Sequence, residues 1–181
     1  MNFNLQPTLE NELVRLVPLK LNDFESLYLV ASDPLIWEQH PDRFRYKKSV
    51  FEKYFDGAIQ SCGAFIVFDK KSGETIGSTR YYDYDEVKKS IVIGYTFLAR
   101  KYWGGIYNRA MKMLMLDYAF SFVETVIFHI GAENIRSQKA IEKLGAMKVG
   151  EIEINYPGED ERLSFIYKIK KSTWTDISLM K

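Results

Sequence analysis

The chain is 181 residues long, carries 25 Lys and Arg against 24 Asp and Glu for a formal net charge of +1, and is 46% hydrophobic. That length gives one domain, residues 1–181, a real core, and 12 Phe, 12 Tyr and 3 Trp exclude a disordered, coiled-coil or collagen-like chain. Near neutrality without a block of like charge excludes a dedicated nucleic-acid or anionic-membrane binder, whose affinity comes from clustered Lys and Arg.

Residues 13–18 alternate as a first strand, and Asn22 is placed to cap a helix to about Ser32, ended by Asp33-Pro34. Residues 48–61 put Val50, Phe51, Tyr54, Phe55 and Ile59 at helical spacing, with Gly63 as the stop. The period then drops to two, and 64–69, 75–82 and 90–99 read as three antiparallel strands joined by turns at 71–74 and 83–89. From Gly105 to Phe122 the pattern is helical and nearly apolar all round, interrupted by Asn108, Arg109, Lys112 and Asp117, which predicts a helix lying against a sheet. A short apolar strand, 125–130, precedes a helix from Asn134 to Leu144 ended by Gly145, and strands at about 146–156 and 162–171 close the pattern. The fold class is therefore α/β (α+β), with a single mixed, mostly antiparallel sheet of about seven strands flanked by helices.

One cysteine, Cys62, makes no internal disulfide, and His40 and His129 have no zinc-ligand spacing, so no metal is expected. The N-terminus lacks a basic start followed by an apolar stretch, and no apolar run approaches the ~18 residues of a membrane span. A cytoplasmic protein is expected, without nucleic-acid or membrane partners.

The chemistry is concentrated at 91–122, where Gly104 and Gly105 stand between a strand and a helix. Missing side chains there let backbone N–H groups approach an anion at the positive helix end, although a tight turn needs the same residues. The nucleoside-triphosphate loop is excluded, since no Gly-Lys-Ser or Gly-Lys-Thr follows. One strand and one helix later, Asn134, Ser137, Lys143 and Gly145 keep a fixed spacing. Together these segments resemble the GCN5-related N-acetyltransferase superfamily, in its branch similar to ribosomal-protein amino-terminal acetyltransferases. The likeness covers about residues 75–149. Lys101-Tyr102-Trp103-Gly104-Gly105-Ile106 falls on the family's pyrophosphate loop and matches it at Gly104, and the Asn134 segment meets the second motif without gaps.

The resemblance implies transfer of the acetyl group of acetyl-coenzyme A to a primary amine, by direct attack, on a protein amino terminus or a small amine. The rival implication is a degenerate acyl-coenzyme A sensor or scaffold. It implies a sheet splayed between the fourth strand, 90–99, and the fifth, 125–130, with a bulge on the fourth. Phe97, Leu98 and Ala99 then offer backbone groups to the pantetheine arm, and the amides of Trp103, Gly104, Gly105, Ile106, Tyr107 and Asn108 hold the pyrophosphate. Asn134 meets the pantetheine or the fifth strand, and Lys143 lies near the cofactor's far end. Three positions depart from the family: Ile106 replaces a small residue, Ile141 a tyrosine acid and Val92 a carboxylate base. Ser137 is the expected proton donor, with a helix cap as its alternative role.

The acceptor side falls to the loop Trp37-Glu38-Gln39-His40-Pro41, where Trp37 and His40 are either substrate contacts or a core plug and a turn cap. Alternation puts Arg80 and Tyr82 on one face of their strand and Tyr81 on the other. Arg80 is a surface ion pair or a substrate contact, Tyr82 a substrate contact. His129, in an apolar strand, reads as a satisfied core histidine. A monomer or homodimer fits these expectations.

Overall fold

Period-two burial builds two hydrophobic layers, and helices cover both. The computed structural model describes residues 3–154 and 162–174. Its described residues form β1 (Leu9–Glu10), β2 (Val14–Pro18), α1 (Phe24–Ala31), α2 (Lys48–Gln60), β3 (Ala64–Asp69), β4 (Thr75–Asp85), β5 (Ser90–Leu98), α3 (Tyr107–Ala119), β6 (Thr125–Gly131), α4 (Ile135–Glu142), β7 (Met147–Ile154) and β8 (Arg162–Lys170). In β3, Phe65 and Val67 enter one layer while Ala64 and Ile66 enter the other. The first layer lies under α3, which buries Met111, Met115, Leu116 and Ala119 along one stripe, and takes Ile141 from α4. The second lies under α1 and α2, where α2 buries Phe51, Tyr54, Phe55 and Ala58 at the i, i+3, i+4, i+7 spacing of a helix face.

The strands form one sheet in the order β1-β2-β3-β4-β5-β6-β8-β7. All neighbours are antiparallel except β5 and β6, which run parallel and pair only from Ser90–Val92 to Thr125–Ile127. Beyond Val92 the two strands separate, as the resemblance implied for the fourth and fifth strands. Between β4 and β5 the register moves from Ser78↔Phe97 to Arg80↔Gly94, so three steps of β5 oppose two of β4. That bulge holds Tyr95 at φ +51°, a left-handed conformation uncommon outside Gly, Asn and Asp.

Several boundaries differ from expectation. The sheet has eight strands among the described residues because a two-residue edge strand, β1, is too short to show alternation. Asn22 does not cap the first helix; a 3-10 turn at Leu21–Asp23 precedes it, and the Asp23 carboxylate accepts from Lys20 N at 2.8 Å. β4 continues through residues assigned to a turn, since Asp85 still pairs with Ser90. The helix from Gly105 begins at Tyr107 and ends at Ala119. Residues 155–156, the expected end of one strand, lie outside the described residues. Cys62 is an exposed residue just after α2 with φ +47°.

Candidate active site

Where β5 leaves β6, the sheet opens into a cleft of about 680 Å³, of a size that binds small molecules. One end lies at the start of α3 and α4, the other under the loop between α1 and α2.

At the first end, the segment after β5 is tied to the β3–β4 hairpin. Lys101 Nζ donates to Glu74 at 2.6 Å, Tyr102 Oη to the same carboxylate at 3.1 Å, and Tyr107 Oη to Asp69 at 3.0 Å. The Lys101 ammonium, followed by the Tyr102 hydroxyl, holds the Glu74 carboxyl below its ordinary range. These ties leave Gly104 at φ +70°, with nothing within 4 Å of the position a Cβ would take. A side chain is thus disfavoured by backbone conformation while open space lies beside it, the shape of a cradle for a bulky anion at the N-terminus of α3. Arg109, Arg136, Lys139 and Lys143 line this part of the cleft with Trp103, Gly105, Ile106, Asn108, Asn134 and Ser137. Among the described residues no Asp or Glu lines the cleft. This donor set fits the pyrophosphate and phosphate of coenzyme A. Ile106 is 60% exposed, so its side chain stands beside the cradle and does not fill the core.

Asn134 caps α4, its Oδ1 accepting from Ser137 N at 3.1 Å. Ser137 is therefore the third helical residue, and its hydroxyl is not the cap. Across the cleft, the Arg136 guanidinium lies 3.8 Å from the centre of the Trp103 ring, whose Nε1 donates to Leu98 O at 2.8 Å. Ala99 N donates to Ile76 O at 2.7 Å, so strand alternation turns the Leu98 N–H and C=O away from β4, the carbonyl toward the Trp103 indole.

At the second end, Trp37, His40 and Tyr82 all line the same cleft, together with Arg45, Tyr95 and His129. Trp37 is also a core residue, 2% exposed, with Nε1 donating to Ala31 O at 2.7 Å. His40 Nδ1 accepts from Asp42 N at 2.9 Å, and its ring meets Trp37 edge-on. Both therefore serve the fold and wall the cleft. The Arg45 guanidinium is buried, lies 5.0 Å from the Tyr54 ring centre and pairs with Asp42 at 3.4 Å.

Three expectations are corrected. Arg80 is only 5% exposed and lies outside the cleft: its guanidinium sits 4.0 Å from the Tyr95 ring centre and donates to Gly57 O of α2 at 3.2 Å. It is neither a surface ion pair nor a substrate contact. Ala99 is turned away from the cleft, its N–H donating to Ile76 O. His129 is not a core histidine, because Val126, Phe128 and Ile130 take the core face of β6 and leave His129 half-buried on the other. Val92 and Ile141, which stand where relatives carry a base and an acid, are buried apolar residues.

Lys112 shows in the sequence only as a polar break in a helical pattern. It is 4% exposed on the cleft floor, with Nζ donating to Thr96 Oγ1 at 2.6 Å and to Thr79 Oγ1 at 3.2 Å, and burial lowers its pKa to about 7.

An open mixed sheet parted at a bulged strand, with an anion cradle at the head of the next helix, defines a class of acyl-group-transfer folds. The Acetyltransferase (GNAT) domain family matches residues 14–147, and the chain belongs to that family. A GCN5-related N-acetyltransferase from Brucella melitensis has the same fold, with a TM-score of 0.83 at 21% identity over 96% of this chain and 83% of that one. A spermidine N-acetyltransferase from Vibrio cholerae, in complex with CoA and spermine, gives 0.68 at 18% identity over 91% and 99% of the two chains. Mycobacterium smegmatis RimJ, in complex with CoA-disulfide, gives 0.70 at 16% identity over 95% and 93%. Among curated proteins, none matches the sequence. No helix among the described residues is long and apolar enough to cross a membrane, and no group of His, Cys, Asp and Glu among them is placed to hold a metal ion.

Proposed function

We propose that the chain transfers the acetyl group of acetyl-coenzyme A to a primary amine, either a peptide amino terminus or a small amine. The observation that carries this reading is the cleft itself, which joins an anion cradle at Gly104 to an aromatic chamber through the parting of β5 and β6. The neighbours solved with CoA and spermine, and with CoA-disulfide, support a coenzyme A ligand.

When bound, the cosubstrate supplies a thioester whose carbonyl accepts an amine and whose thiolate leaves. The amides of residues 103–108 hold its pyrophosphate, and Arg109, Arg136, Lys139 and Lys143 neutralise its phosphates. The Leu98 backbone guides the pantetheine arm like an added strand. Ser137 gives a hydrogen bond, and then a proton, to the departing sulfur. Trp37, His40 and Tyr82 orient the amine. Positioning and charge stabilisation do most of the work, because an amine attacking a thioester needs little more.

The test is calorimetric titration of coenzyme A into wild type and Gly104→Val, with circular dichroism to verify the fold. Valine at φ +70° forces the loop to move and obstructs the cradle, so affinity falls ~10²-fold or more while the spectrum is kept. Unchanged affinity in a folded variant overturns the cradle. Coenzyme A binding by wild type without thiol release across a panel of amines supports the sensor reading instead.

A further inference from the structure

His129 lies on the acceptor side of the parting of β5 and β6, and no motif brings it there. Alternation along β6 sends Ile127, His129 and Gly131 to the face opposite the core residues Val126, Phe128 and Ile130. The imidazole lines the cleft half-buried, and neither ring nitrogen has a hydrogen-bond partner among the described residues.

Its neighbour is Tyr82. The two ring centres are 6.5 Å apart, although the strands that carry them, β4 and β6, are separated by β5. Gly94 of β5 makes this approach possible: a Cβ there would lie 2.9 Å from Tyr82 Cε1 and 3.1 Å from its hydroxyl oxygen. The missing side chain lets the Tyr82 ring lie across β5, beside the point where the strands part. Glycine at this position thus converts a strand interior into a passage between an acceptor-side phenol and an acceptor-side imidazole.

The geometry points to His129 as the general base that takes the proton of the acceptor amine, with Tyr82, lying over Gly94, orienting that amine toward the thioester. This rests on the acetyl-transfer reading above. In the reaction one C–N bond forms and one C–S bond breaks. The amine proton goes to an imidazole nitrogen, the thiolate takes a proton from Ser137, and both groups re-equilibrate with solvent. The Asp83 carboxylate favours the charged ring but is outweighed by burial, which pushes the His129 pKa below its ordinary value and leaves the ring neutral near neutral pH. Among the described residues, Tyr82 of β4 is in ring contact with it, and Tyr95 of β5, His40 and Arg45 line the same cleft. From β8, Lys168 lies two residues beyond the cross-strand partner Ile166.

The experiment measures thiol release against pH with acetyl-coenzyme A and three amines: an alanyl tripeptide, phenylethylamine and spermine. Wild-type kcat/KM for the best amine falls at acid pH as the imidazole protonates. In His129→Gln, kcat drops ~10²-fold or more, the acid limb of that ionisation vanishes, and coenzyme A affinity by calorimetry is kept. Gly94→Ala displaces Tyr82 and raises KM for the amine, again with coenzyme A affinity kept. A His129→Gln enzyme with wild-type kcat and an intact acid limb overturns the base and leaves acetyl transfer standing. A wild type that binds coenzyme A and acetylates none of the three amines overturns both.

Discussion

The Gly104 end of the cleft is lined from two short stretches of chain, 102–109 and 134–144, whereas the other end is lined from four separate places: the loop holding Trp37, His40 and Arg45, then Tyr82, Tyr95 and His129. The difference is chemical. A phosphate can be bound by amides at a helix start, and amides are positioned only by local conformation, so the glycines and the cap must keep fixed spacing. An amine acceptor is recognised by its shape and proton, which side chains from any element can meet. Local construction therefore leaves a motif, and convergent construction leaves none.

The sharpest way to break this comparison is at Ser137, which sits in the motif yet is assigned a side-chain task. Because Asn134 already caps α4, Ser137→Ala removes no cap. Turnover should drop ~10²-fold or more, as loss of a general acid does, while stability stays within about 0.5 kcal/mol. Steady-state thiol release and urea unfolding check the two halves. Full turnover would leave sulfur protonation to water and make the cofactor end purely a positioning device.

At the acceptor end, Trp37 tests whether a wall residue is separable from the fold. Trp37→Phe keeps a ring against Phe97 but leaves Ala31 O, near the end of α1, without its indole donor. The expected cost is ~1–3 kcal/mol, read from the urea midpoint, with a smaller rise in KM for the amine. An unchanged midpoint would show that Ala31 O finds water, and that Trp37 belongs to the cleft alone.

How much was legible follows the same division. Gly104, Asn134 and Ser137 stand out in the sequence because their spacing resembles the family's two motifs, and the structure puts Gly104 at an open left-handed turn and Asn134 at the cap of α4. The layers of the sheet were readable from alternation, which put Arg80 and Tyr82 on one face as found. Alternation gives a face and not what covers it: α2 lies over Arg80 and accepts from its Nη1 at Gly57 O, while Tyr82 escapes across Gly94. His129 departs from the core reading for a related reason. An apolar strand beside a gap in the sheet has an open face that its own sequence does not announce.

Lys112 lies on the cleft floor, and its substitution is expected to raise stability rather than lower it. Its pKa of about 7 follows from burial alone, with the Thr79 and Thr96 hydroxyls as its partners. An unfolded lysine titrates near ~10.4, so between about pH 7 and that value the unfolded chain binds the proton that the folded chain releases. Stability should therefore rise with pH across this window, by at most ~1.4 kcal/mol per pH unit, and should carry the full cost of burying the charge below it. Lys112→Met removes the charge and leaves the two hydroxyls, 2.9 Å apart, bonded to each other. The variant should gain ~1 kcal/mol near neutral pH and lose the slope, as seen in urea midpoints compared at about pH 7 and about pH 9. A slope that persists in the variant would move this titration to another group. Turnover read beside stability then assigns the residue: a more stable variant with lower turnover places Lys112 in the site, under the bulge that turns β5 toward the thioester, and a more stable variant with full turnover places it in the packing of α3 on the sheet.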